Sequence, residues 1–84
     1  MFFRGQRTRN MPRLVQLPSC VIRMYFEDHN PPHVHVVGPD FEAKMTIADA
    51  RLLKGALPAQ VEREAANWIA ANRDYLKLKW EEFK

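Results

Sequence analysis

The chain has 84 residues, of which 46% are hydrophobic and 27% charged, proportions that fit one ordinary globular domain and exclude a disordered, collagen-like or low-complexity chain. Its one cysteine, Cys20, excludes an internal disulfide and a Cys-x-x-Cys metal site and points to a reducing compartment. The net charge of +3 is uneven: Arg4, Arg7, Arg9, Arg13 and Arg23 all precede the first acid, Glu27.

The opening MFFRGQRTRN lacks the apolar core of a signal peptide, and no run approaches the ~18 apolar residues of a membrane span. A cytoplasmic protein with no membrane partner is expected. Residues 1–12 read as a basic, flexible N-terminal extension, and 13–84 as a single α+β domain.

From Cys20 to Phe26 apolar residues alternate, with Cys20, Ile22, Met24 and Phe26 on one face, which predicts a strand. Pro31 and Pro32 then interrupt any ladder, since neither carries an N–H and each disfavours helix in the residue before it. Alternation resumes over His33–Val37, with Val34 and Val36 opposing His33 and His35. After the Gly38-Pro39-Asp40 turn signal it resumes over Phe41–Ile47. Asp49–Gly55 allows either a fourth strand or a helical turn.

Beyond Gly55, Leu57-Pro58 looks like a helix entry. The stripe Val61, Ala65, Trp68, Ile69 predicts a helix that breaks at the cap-type residues Asn72 and Asp74 and restarts with Leu76, Trp80 and Phe83, although one long helix fits too. The expected fold is α+β: a three-stranded antiparallel meander, four if Asp49–Gly55 is a strand, packed on one face by one or two C-terminal helices. The expected core is Ile22, Met24, Phe26, Val34, Val36, Met45, Ile47, Trp68 and Trp80.

All three histidines fall in DHNPPHVHV, residues 28–36. If Val34 and Val36 face the helices, alternation sends His33 and His35 to the opposite, helix-free face, near Arg23, Tyr25, Glu27, Glu42, Lys44 and Thr46. Three chemistries fit that cluster. His33 and His35 could bind a divalent transition metal with His29 or Asp28 as third ligand. Imidazoles, which titrate near neutrality, could act as general base and acid on RNA without a metal, with Arg23 or Lys44 holding a phosphate and Tyr25 orienting it. Alternatively Asp28, Pro31, Pro32 and the histidines only brace the turn through hydrogen bonds, or the open face docks another protein.

VIRMYFEDHNPPHVHV, followed by KGALP, NWIAANRDYL and KWEEF, resembles a small bacterial family catalogued as a domain of unknown function, with an IxMYxxDHxPPHxHV hallmark. The block lands on Ile22, Met24, Tyr25, Asp28, His29, Pro31, Pro32, His33, His35 and Val36, and the likeness runs over about residues 11–84. Val34 stands where aromatic residues are common in that family. Chains of that family commonly open with Met-Pro, here Met11-Pro12, so the resemblance makes Met1–Asn10 an extension or a misplaced start.

The resemblance implies the toxin of a two-gene toxin–antitoxin pair that binds a cognate small antitoxin and inhibits growth through RNA or translation. It leaves open whether the chain is an enzyme. On a ribonuclease reading, no cofactor is needed: His29, His33, His35 and Tyr25 are the catalytic candidates, Arg23 and Lys44 the substrate contacts, and Asp28, Pro31 and Pro32 the structural turn. A non-catalytic binding or regulatory partner is the alternative, as is a small protein that binds a metal through His29, His33 and His35. Exposed sheet edges also allow a homo-oligomer.

Overall fold

The computed structural model describes residues 13–84. The basic arm expected over residues 1–12 lies outside the described residues. Among the described residues five strands, β1 (Arg13–Gln16), β2 (Val21–Arg23), β3 (His33–Gly38), β4 (Phe41–Thr46) and β5 (Leu52–Gly55), precede two helices, α1 (Ala59–Ala71) and α2 (Arg73–Phe83). The strands pair in chain order as an antiparallel meander.

The architecture is α+β with two C-terminal helices, as expected, but the sheet has five strands rather than three or four. Asp49–Gly55 does contain a strand, β5, which pairs Leu52 with Met45, Lys54 with Lys44 and Gly55 with Ala43 across an irregular register. Strand β1 was not expected. Its Leu14 and Val15 are both half-buried, and its pairing with β2 shifts register between Arg13 and Val15, so it shows no period-two signature. Strand β2 is also shorter than the alternation suggested, because the chain leaves the ladder after Arg23.

Register builds the core. Ile22 pairs with Val36 and Val36 with Ala43, while Val34 pairs with Met45, so these side chains share one sheet face. Against it lie Val61, Ala65 and Ile69, spaced four apart along α1, and Leu76 and Trp80, spaced four apart along α2. Of the expected core residues, Trp68 is only partly buried against this cluster, and Phe26 is half-buried and stacks on Phe83.

Asn72 makes the helix break. Its N–H donates to the carbonyls of Trp68 and Ile69 and its side-chain amide to Trp68 O at 2.9 Å, while its own carbonyl accepts from Leu76 N–H at 2.9 Å. One residue thus satisfies the last carbonyls of α1 and opens α2. Arg73 Nε donates to Ile47 O at 2.8 Å, which anchors the start of α2 just beyond the end of β4.

Candidate functional site

The DHNPPHVHV segment leaves β2, turns at Glu27 with a positive φ of 58°, runs through a cis Asn30–Pro31 bond and enters β3 at His33. Proline carbonyls still accept hydrogen bonds, and both are used. Pro32 O accepts from Ile47 N–H at 3.1 Å, and Pro31 O lies 2.8 Å from His33 Nδ1. A carbonyl can only accept, so His33 Nδ1 carries the proton of that bond.

The Asp28 carboxylate is drawn back over the sheet. Its Oδ1 accepts from the backbone N–H of His29 at 2.9 Å, and its Oδ2 lies 2.8 Å from His35 Nε2 and 3.0 Å from His33 Nε2. The rings of His33 and His35 are 5.1 Å apart. The Tyr25 ring stacks on His35 at 4.0 Å, and the Trp80 ring lies 5.4 Å from His33.

Strand alternation does place the two imidazoles together and opposite Val34 and Val36, but they are not on an open surface: His33 is 2% exposed and His35 4%. This corrects the expectation of a bare polar face. Tyr25 lids one ring. Trp80, from α2, walls the other, and α2 is drawn there because Glu27 N–H donates to Phe83 O at 2.7 Å and Phe26 stacks on Phe83 at 4.4 Å.

The other expected site residues divide into two groups. Arg23 and Lys44 flank His35 as its direct cross-strand neighbours. His29 is exposed; its backbone N–H, not its imidazole, serves Asp28. The three groups whose donor atoms converge within 4.8 Å are therefore Asp28, His33 and His35. The third member of any ligand set at this cluster is Asp28, not His29, and Asp28 belongs to the centre of the site as well as to its turn.

Three contributors were given no role in the site, although Glu42 was expected beside the histidines. Glu42 Oε2 lies 3.8 Å from His35 Nδ1. Lys54 pairs with Lys44 and extends the basic row, and it was hidden in the segment whose strand character was undecided. Trp80 was assigned to the core, where it does sit, but the period of α2 cannot tell that one edge of its ring meets a histidine.

Charge shapes the site. Burial pushes the Asp28 carboxyl up, but the His35 hydrogen bond, the His29 N–H and the two nearby imidazoles outweigh it and hold the group below the ordinary carboxylate value. The Tyr25 phenol is pushed up by burial and by Glu42, with Arg23 opposing and Asp28 adding to the rise. Two buried ring nitrogens, His33 Nε2 and His35 Nδ1, have no hydrogen-bond partner among the described residues. His33 Nε2 lies 3.0 Å from Asp28 Oδ2 but outside hydrogen-bond geometry.

No curated protein and no solved structure matches the chain. The family described as "Domain of unknown function (DUF4160)" matches residues 20–81, a stretch that begins at Cys20 just before β2 and ends in the last turn of α2. The chain belongs to that domain-of-unknown-function family.

Proposed function

We propose that this chain is the growth-inhibiting member of a two-gene toxin–antitoxin pair and that it acts by holding RNA on the sheet face that carries Arg23, Lys44 and Lys54. The toxin role comes from the resemblance carried by Tyr25, Asp28, His29, Pro31, Pro32, His33 and His35. One structural observation supports RNA as the ligand. Arg23, His35, Lys44 and Lys54 are successive cross-strand partners over β2, β3, β4 and β5, which sets three cationic side chains in one row across the sheet. Such a row suits a phosphate backbone.

Burial of His33 and His35 weighs against cleavage by two solvent-facing imidazoles, so the reading is binding rather than hydrolysis. The role of a cognate antitoxin is then to cover the same row with acidic side chains.

Expression of the chain alone should slow growth, and coexpression of the adjacent gene should restore it. Charge reversal at Lys44 and Lys54 together should abolish both the growth effect and the salt-sensitive retention of single-stranded RNA, with the circular dichroism spectrum unchanged. Undiminished growth inhibition by a folded double variant would remove the basic row from the function.

A further inference from the structure

The unpaired ring nitrogens present a chemical problem. His33 Nδ1 donates to Pro31 O, so in the neutral ring Nε2 bears a lone pair, and this nitrogen lies 3.0 Å from Asp28 Oδ2 but outside hydrogen-bond geometry. Two electron-rich atoms at that distance repel unless a positive charge lies between them. His35 has the same difficulty at its other nitrogen. If Nε2–H donates to Asp28, the lone pair on Nδ1 is buried, lies 3.8 Å from the Glu42 carboxylate and has no donor among the described residues.

We propose that Asp28 Oδ2, His33 Nε2 and His35 Nε2 together bind one divalent transition-metal ion. Metal binding resolves both problems with one assignment of protons. Both rings adopt the Nδ1–H tautomer. His33 keeps its bond to Pro31 O, and His35 presents an N–H rather than a lone pair on the side of Glu42, 3.8 Å away. The two Nε2 lone pairs and the carboxylate oxygen then converge on the cation. A histidine ligand whose second nitrogen is held by a backbone carbonyl or a carboxylate is the usual outer arrangement of such sites.

The alternative that also supplies positive charge is a doubly protonated histidine pair. It places the same added charge beside Arg23 and Lys44, and with a single carboxylate oxygen shared between the two rings it leaves His33 Nε2–H without hydrogen-bond geometry.

Donor chemistry sets the class of ion. Two imidazoles and one carboxylate, with no thiolate, suit Zn²⁺, Fe²⁺ or Co²⁺, and three protein ligands leave a position for water or a small ligand. The separations from Asp28 Oδ2 are 2.8 and 3.0 Å, a few tenths of an ångström below the ~3.3 Å edge of a tetrahedral zinc site with bonds of about 2.0 Å, and the donor atoms of all three groups lie within 4.8 Å of one another. The centre is independent of the RNA reading, because metal uptake is measured with neither RNA nor growth.

The test uses the unaltered protein. After treatment with chelator and dialysis, it is titrated with Zn²⁺ while the imidazole ¹⁵N resonances are followed, and with Co²⁺ while its visible absorption is recorded. One equivalent should bind, the Nε2 resonances of His33 and His35 should move together, and those of His29 should stay in place. His29→Ala should bind as the parent does. Glu42→Gln should weaken binding by about tenfold or more, the usual effect of losing an outer partner, and Asp28→Asn should abolish it. Failure of the His33 and His35 resonances to respond to Zn²⁺ overturns the proposal, and so does a response confined to His29, whether or not any variant folds.

Discussion

Glu27 donates its backbone N–H to the carbonyl of Phe83 at 2.7 Å, across most of the length of the chain. The bond satisfies one of the carbonyls that every helix leaves unpaired at its C-terminus, and the stacked Phe26 and Phe83 rings beside it fasten the turn before Asp28 to the last turn of α2. The histidine cluster therefore depends on two segments that the sheet does not join.

Replacing Phe83 with alanine removes the stack without touching any ligand-type residue. A loss of about 1–3 kcal/mol in folding stability is expected for a half-buried phenylalanine with an aromatic neighbour. Urea denaturation followed by circular dichroism measures it. Because Trp80 sits one turn earlier, hydrogen exchange at His33 and Val34 should accelerate in the same variant, and unchanged exchange would show that the clasp does not hold the cover.

Gly55 ends β5 with φ at +88°, and an added Cβ would lie 2.7 Å from Glu42 O and 3.0 Å from Ala43 Cα. Gly55→Ala thus meets both a disfavoured backbone region and rigid neighbouring backbone. A destabilisation of at least about 1–2 kcal/mol is expected, seen as a lower thermal midpoint. A Gly55→Ala protein as stable as the parent would mean that β5 does not pair in this register.

Asp28 gives a pH signature with a defined sign. Its carboxyl is held below its ordinary value in the folded chain, so the ionised form favours folding. That contribution is complete above the unfolded value of about 4 and is lost as pH falls through the lower folded value. In metal-free protein the stability difference between the parent and Asp28→Asn should shrink as pH falls below about 4, the range in which this carboxyl takes up its proton. Thermal melts across that range test it, and a difference that grows below pH 4 would contradict the assignment.

Cys20 is buried, and its thiol is pushed up first by that burial and then by the charge of Glu64, against a smaller opposing effect of Ser19. Both inaccessibility and the scarcity of thiolate slow alkylation. Iodoacetamide at neutral pH should leave the native protein unmodified while labelling it fully in denaturant, with mass spectrometry as the readout. Rapid native labelling would show that the β1–β2 turn, held to α1 by Ser19 and Glu64, opens readily.

The elements legible in the sequence were those whose two faces differ. Ile22, Val34, Val36, Met45 and Ile47 lie under the helices while His35 and Lys44 do not, so β2, β3 and β4 announced themselves through period two. Strand β5 is exposed along its whole length, and β1 is irregular, so neither carried a face difference to read. Both are edge strands, recruited by pairing with a neighbour rather than by their own pattern.

The site was half legible for the same reason. Alternation placed His33 and His35 side by side and chose Arg23 and Lys44 as their neighbours. Their burial was not legible, because what covers them is Tyr25 turning back from the end of β2 and Trp80 arriving from α2. Local periodicity carries no information about such distant covers. The choice of Asp28 over His29 likewise turned on a backbone detail, the His29 N–H that fixes the carboxylate.

The order of pairing bears on how the protein is made. Each strand pairs with the one before it, so the sheet can assemble as it leaves the ribosome, with little loop-closure entropy opposing it. Trp80 and Phe83 follow all five strands in chain order, and until they emerge His33 stays open to water and to whatever solutes surround the nascent chain. Emergence of Trp80 is therefore the step that encloses His33, and translation stalled short of it would leave a sheet with an unsealed end.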